Sequence, residues 1–589
     1  MSRHRRFDFM NGRGGIVAFF LFLFLSIIIL LQIFSMVQSD RFYVALNRLE
    51  VIFESSETMR DVVGSAEAER RCDEEYLGDE GDWLIWAFRV EPKTLNQFSA
   101  ENDIYSRWIT VPYIFEPLLF YDFDNLTMQP WLAETYEISE NGLEITFTLR
   151  DDVYFSDGVP VTADDVIFTY ETAVNPKVDA ANIANLFVDV EKAVKVDERV
   201  VKFIMKRPYF KALENVCFWD FGILPKHVYE FDDAEEFNKR VSNPVGSGPY
   251  VFEKWETGRK VVLRRNENYW GRKPRLKKII YRFIPNDVAA LQALRSHEVD
   301  IMIPDPEQFA DVVEDEEFRK EFYCLSYWNP GVPFFYIGWN QDTPFFNDKR
   351  VRLAMTHMVN REEVVSRLLK GYGQEITGPF FLKADQYDHS IKPWPYDLAK
   401  ARQLLDEAGW IDRDGDGIRD KAGVTFRFKF MYSSASTFYG RLAKLLKDEA
   451  AKVGIEVVPD PYELSVIMTK LPDRDFEVVV MGWGGDILED FYQIFHSSQI
   501  GRRGSNYVGF NNARADELLE EIRRTLDEAK RERLCRQFHR ILHEEQPYTF
   551  LFARPTFRLV DRRFKNVNIY KLGPKYWEWY VPKEQQRYK

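Results

Sequence analysis

Apolar and polar positions along this chain change period many times, and no segment repeats. Strand-like runs lie over 83–90, 143–149, 200–205, 261–265 and 424–430, with period-two alternation plainest in 143–149. Apolar positions three and four apart mark helices over 163–174, 288–296, 349–369, 397–407, 438–453 and 514–545. A continuous apolar run at 476–481 reads as a buried strand, and the aromatic stretch 567–580 as a last one. Between 250 and 265, two alternating runs flank Thr257-Gly258, the punctuation of a β-hairpin. Strands and helices mixed in this way predict an α/β chain whose segments pack against distant ones.

The N-terminus follows a different pattern. Residues 15–37 carry no charge and only one strongly polar side chain, Gln32. A bilayer span takes about 20 residues, so the run reads as a transmembrane helix. Arg3, Arg5, Arg6 and Arg13 precede it and Asp40 follows, which puts residues 1–14 in the cytoplasm and the bulk of the chain outside. A cleaved signal peptide is the competing reading, with Val37 and Ser39 before the cut, although the run exceeds the usual signal core. Residues 38–82 are charged, with Phe42, Leu46, Leu49 and Phe53 at helical spacing. They read as a stalk or a frayed linker.

At 589 residues the chain is too long for one core of ordinary size, so two lobes are expected. A net charge of -14 argues against binding nucleic acid. The 48 Phe, 29 Tyr and 14 Trp are enough for cores and for an aromatic cleft. Cys72, Cys217, Cys324 and Cys535 are scattered; three pairings are open, and no C-x-x-C pair suggests a metal.

Candidate chemistry is sparse. Gly246-Ser247-Gly248 is followed by Pro249 and a hairpin instead of a helix, so it is neither a phosphate cradle nor a nucleophile elbow. His539 and His543 stand one helical turn apart, but Arg540 occupies the place where a metalloprotease has glutamate, and the pair reads as a solvated face. Asp412, Asp414, Asp416 and Asp420 resemble half of a calcium loop, with Gly423 where the twelfth-position carboxylate belongs; a polar turn is the simpler reading. Nothing supports an enzyme, and no cofactor is expected. Gly482-Trp483-Gly484-Gly485-Asp486 differs: a strand delivers a ring and an acid on uncluttered backbone, which suits a ligand. A core tryptophan and a helix-capping aspartate are the competing reading.

Six stretches together resemble the extracellular solute-binding proteins of family 5, the peptide and nickel transporter group. They are "PWLAETYEISENGLEITFTLRDDVYFSDGVPVTADDVIFTYE", "PVGSGPYVFEKWETGRKVVLRRNENYWG", "LQALRSHEVDIM", "PFFNDKRVRLAMTHMVNREEVV", "AKARQLLDEAGWIDRDGDGIRDK" and "VVVMGWGGDILEDFYQIFHS". They span nearly all of 83–583 in the family's order.

The resemblance implies a two-lobed periplasmic-binding-protein-like fold of the type II, peptide-binder cluster. Lobe I would comprise 83–285, with a small subdomain at about 120–200, and 511–589 returning to it; lobe II would comprise 286–510. It implies a short peptide or similar solute held between closing lobes, an ABC permease as partner, and a periplasmic or extracellular main domain on a single-pass inner-membrane anchor. An oligosaccharide binder, or an anchored sensor that has lost transport, is the alternative. Asp486 falls on the acid that meets a peptide's α-amino group, and Trp483 on the aromatic position beside it, with Gly485 between. Trp339 and Asn340 fall in a cleft-lining segment, and Glu101 in the loop after the first strand. Ile487 and Asp490 depart from the family's Asp-Tyr-x-x-Pro continuation.

Overall fold

The computed structural model describes residues 78–501 and 504–588. The expected span at 15–37, the tail before it and the stalk up to residue 77 lie outside them, as does Cys72. Among the described residues no helix is long and apolar enough to cross a membrane, and Cys217, Cys324 and Cys535 are free thiols.

Two large sheets organise the chain. The first has seven strands in the spatial order Phe322–Tyr327, Thr556–Asp561, Ile301–Met302, Trp83–Phe88, Lys278–Phe283, Lys260–Arg265, Tyr250–Glu256. The second has six: Gln374–Glu375, Tyr548–Ala553, Phe334–Trp339, Val478–Trp483, Arg427–Ser433, Glu456–Tyr462. Side chains alternate across a strand, so Leu84, Trp86 and Phe88 enter one core while Ile85 and Ala87 enter another. In the second sheet Tyr336 and Phe550 face one way, Ile337 and Leu551 the other. Burial on both faces explains the nearly unbroken apolar runs of the central strands.

The chain passes between the sheets through 328–333 and again through 554–555. Strands Ile301–Met302 and Phe322–Tyr327, which a division at 286 assigns to the second lobe, pair with Thr556–Asp561 of the first sheet. Helix Asp287–Arg295 packs there too, because its Ala290, Ala293 and Leu294 stripe faces that sheet's core. A four-stranded antiparallel sheet (Ala133–Ile138, Glu144–Leu149, Val200–Met205, Val190–Lys195) turns Phe147 and Phe203 into the same core as Trp86.

Several predicted elements break where the sequence places a capping residue. The helix expected over 349–369 ends at Met358, and Asn360 caps a new turn by accepting from the Glu363 N–H at 3.1 Å. The helix expected over 514–545 divides into Ala513–Arg524 and Glu528–Glu545, with Asp527 capping the second at 2.6 Å. Residues 424–430 divide into Val424–Thr425, paired with Asp420–Lys421, and Arg427–Ser433. The stretch 567–580 forms no strand; its backbone makes only isolated bridges and one helical turn, Tyr576–Glu578.

Gly246-Ser247-Gly248 is a packing device. A Cβ on Gly246 would lie 2.1 Å from the Ile114 carbonyl oxygen, and one on Gly248 2.3 Å from that of Tyr113. That approach places Ser247 against Glu116, which is completely buried. Each oxygen of this carboxylate accepts one indole N–H and one hydroxyl: Trp131 (2.8 Å) and Tyr269 (2.6 Å) on Oε1, Trp270 (3.0 Å) and Ser247 (2.8 Å) on Oε2. All lone-pair directions of the carboxylate are filled. Burial pushes the Glu116 carboxyl up to about 7, against these four hydrogen bonds, which lower it.

A second buried charge assembly ties the chain ends together. Arg563 takes Asp300 as a fork, Nε to Oδ1 at 3.0 Å and Nη2 to Oδ2 at 2.9 Å, and its Nη1 pairs with Asp82. Asp82 also accepts the backbone N–H groups of Trp83 (2.8 Å) and Arg587 (2.9 Å). Residues 79–82 therefore belong to the folded body and not to a stalk.

Candidate functional site

Strand Val478–Trp483 lies antiparallel to Phe334–Trp339, with Trp483 opposite Phe334 and Val478 opposite Trp339. Trp483 ends its strand with its indole stacked on Tyr507 (centroids 5.9 Å apart, planes at 18°) and its N–H donated to Tyr548 Oη at 3.3 Å. The backbone then runs against the 328–333 connection, where a Cβ on Gly485 would lie 2.2 Å from the Pro330 carbonyl oxygen. Only glycine fits where the strand end meets the link between the sheets.

Asp486 follows at once. One oxygen accepts the Ile487 N–H at 2.8 Å, and the other pairs with the ammonium of Lys211. Lys211 precedes helix Ala212–Val216, whose Ala212 and Val216 are in the first sheet's core, so this ion pair joins the two halves. The same ammonium contacts Glu214 at 2.8 Å and the Leu488 carbonyl at 3.0 Å. Glu214 in turn accepts the Tyr121 hydroxyl at 2.5 Å. Burial opposes the charge on Lys211, but Glu214 and Asp486 outweigh it and hold the ammonium well above the usual lysine range. Burial, aided by the charge of Asp486, pushes Glu214 up to about 7.

More acids stand close by. Glu489 accepts the Phe381 N–H at 3.2 Å and is held well above the carboxylate range, chiefly by burial. Asp220 is raised by burial and then by the charge of Asp486. Asp490, a departure from the family pattern, accepts from Tyr209 at 2.7 Å and from Arg523 at 2.8 Å. Arg523 lies 3.9 Å from the centre of the Tyr492 ring.

The structure thus gathers Trp483, Gly485 and Asp486, and separates the other candidates from them. Trp339 is fully buried in the second sheet's core beside Phe346 and Phe428, its N–H on Thr549 at 3.1 Å. Its register puts it five residues from Trp483, about 17 Å along the sheet. Asn340 donates to the carbonyls of Arg474 (3.1 Å) and Phe476 (2.7 Å) and accepts from Asp342 N and Arg474 Nη2, so its amide serves the loop. Glu101 is an exposed turn residue facing Lys93 at 3.6 Å. Lys211, Glu214, Tyr209 and Glu489 carry no motif; the spacing of Lys211 and Glu214 at a helix start is the only local signal.

His539 is fully buried and His543 half-buried, contrary to the expectation of a solvated face. His539 bonds Thr377 Oγ1 at 2.9 Å and accepts the Asp388 N–H at 3.2 Å, and burial pushes it down to about 4. His543 stacks on Trp394 with centroids 5.0 Å apart. At the polar turn, the carboxylates of Asp412, Asp414 and Asp416 lie within 4.8 Å of one another, while Asp420 pairs with Arg413 at 2.8 Å.

The family model for bacterial extracellular solute-binding proteins, family 5, matches residues 127–502. The oligopeptide-binding protein AppA of Bacillus subtilis is 31% identical over 508 residues, covering 84% of this chain and 90% of its own. Its crystal structure with a nonapeptide superposes with a TM-score of 0.77 at 28% identity, over 86% of this chain and all of that one. NikZ of Campylobacter jejuni, in complex with Ni(L-His), superposes with a TM-score of 0.73 at 26% identity, over 85% of this chain and 99% of its own.

Proposed function

As a member of family 5 of the bacterial extracellular solute-binding proteins, the chain is a solute-binding protein of the ABC-transporter type and not an enzyme, and we propose that it holds short peptides, chemically unchanged, between its two halves. The observation that carries this reading is the strand end Trp483–Asp486, which offers a ring and an acid at the seam where the 328–333 link and Lys211 of the first half converge. The kinship with an oligopeptide binder supports the solute class. The 328–333 and 554–555 connections would act as the hinge, with lobe I comprising 83–327 and 556–588 and lobe II the residues between the links. An ABC permease subunit would receive the loaded protein.

A thermal-shift panel tests the solute: peptides of two to nine residues, oligosaccharides, and nickel with histidine. Peptides raise the melting temperature with concentration, by the equivalent of about 2.7 kcal/mol at a hundred times Kd. A response to sugars or nickel alone moves the solute class. Silence in every arm sinks transport binding and leaves an anchored sensor.

The uncharged run 15–37 supports a membrane anchor with the folded body outside the cell membrane. The full-length protein is expected to stay with membranes through a high-salt, high-pH wash. A soluble product whose first residue is Asp40 would show a cleaved signal instead.

A further inference from the structure

Lys211 belongs to no motif, yet it is the most completely engaged cation at the seam. An ammonium has three N–H groups, and here they meet Asp486 Oδ2, Glu214 Oε1 at 2.8 Å and the Leu488 carbonyl at 3.0 Å. Only about a tenth of its side chain is exposed, against 38% of that of Asp486. Asp486 and Leu488 lie 275 and 277 residues away in sequence, whereas Glu214 is three residues on. The two residues before it make the same crossing: the Phe210 N–H donates to the Arg523 carbonyl at 3.0 Å and Tyr209 Oη to Asp490 at 2.7 Å.

The charges around this ammonium leave little for a second cation. Asp490 is already neutralised by Arg523. Glu489 and Asp220 are biased toward their neutral forms by burial, and Glu214, raised to about 7, shares a proton near neutrality. Lys211 is then the cation that balances Asp486, with Glu214 sharing the same ammonium. A solute ammonium arriving at Asp486 would meet a carboxylate whose charge Lys211 already balances and would stand beside that like charge, so the contact gains little.

We propose that Lys211 is the built-in counter-cation of Asp486 and sets the specificity of the site, which therefore accepts solutes with no ammonium group at that end, N-blocked peptides included. The solute class in this statement rests on the peptide-binding reading; the Lys211–Asp486 pairing does not.

Two arms of one experiment separate them. In the first, without any peptide, n-propylammonium chloride is titrated into the parent and into Lys211→Ala, where the deleted Cγ–Nζ tail has the size of that ion. It raises the melting temperature of Lys211→Ala and not of the parent, whereas n-propanol raises neither. Equal effects of ion and alcohol overturn the pairing. In the second, the parent binds tri-alanine and N-acetyl-tri-alanine with Kd values within about threefold, whereas Lys211→Ala prefers the free amine by about tenfold or more, since Asp486 then lacks a cation. A parent that prefers the free amine by about tenfold overturns the specificity claim. If neither peptide binds the parent, the peptide reading fails while the first arm still decides the role of Lys211. Should Lys211→Ala not fold, Lys211→Met is compared with Lys211→Met/Asp486→Asn. The double variant melts higher if the lysine serves Asp486, and equal melting refutes it.

Discussion

Glu116→Gln lowers the unfolding free energy by about 2 kcal/mol at pH 7.5 and by about 5 kcal/mol near pH 4.5. At either oxygen of Glu116 an indole N–H and a hydroxyl arrive together. Whichever way the amide of glutamine is turned, its NH2 group points at an indole N–H, which cannot accept, so one tryptophan is left unpaired. The pH dependence has a definite sign. Burial raises the Glu116 carboxyl from 4.5 to about 7, so its contribution is complete below pH 4.5 and declines as pH rises through 7. A shift of this size is worth on the order of 3 kcal/mol. The protonated acid keeps both oxygens as acceptors for the indoles and donates its proton to the Tyr269 or Ser247 hydroxyl, which an amide cannot imitate. Chemical unfolding of parent and variant at the two pH values checks this. A difference that is flat or grows with pH would show that Glu116 does not titrate with a raised value.

Arg563→Met costs about 3 to 5 kcal/mol at neutral pH, because it leaves Asp82 buried without its cation and Asp300 with only the longer contact to Arg587 at 3.6 Å. Both carboxylates are almost fully enclosed, and burial already pushes Asp300 up to about 6 with the arginine present. Without it the Asp300 carboxyl takes up a proton more readily, so the deficit is greatest above pH 6 and shrinks in acid. Arg563→Lys recovers little, since a point charge cannot form the fork to Asp300 while also reaching Asp82. Urea unfolding of the three proteins at pH 5 and 7.5 is the measurement; a lysine variant as stable as the parent would mean that charge alone, without geometry, holds the ends.

Period-two alternation placed the strands with one face toward water, such as 144–149, and unbroken apolar runs placed the central strands, such as 83–88, which are buried on both faces. The two helices drawn too long, 349–369 and 514–545, contained the evidence of their own breaks in Asn360 and Asp527, residues whose side chains cap the next N-terminus. At the site, the glycines around Trp483 and Asp486 read as uncluttered backbone for a ligand, whereas Gly485 is packed against the Pro330 carbonyl. Trp339 could not be assigned from its neighbours: a tryptophan at a strand end is core or cleft according to which end of the partner strand it meets, and that register is set by residues 478–483. Lys211 was invisible for a related reason. Apart from Glu214 three residues on, its partners come from a loop about 275 residues downstream, and a lysine before a short helix looks like solvated surface.

The two crossings between the sheets also constrain the order in which the molecule can assemble. Strand Tyr548–Ala553 separates Gln374–Glu375 from the rest of the second sheet, and Thr556–Asp561 joins Phe322–Tyr327 to the rest of the first. Both follow every other strand of the two sheets in chain order, and Arg563 closes on Asp82 across 481 residues of sequence. A chain emerging N-terminus first, from a ribosome or through a membrane pore, therefore carries two unfinished sheets with open edges until its final segment is free. Contacts so distant make folding slow, and the interval is a window in which a holdase, by covering those edges, would decide between maturation and aggregation.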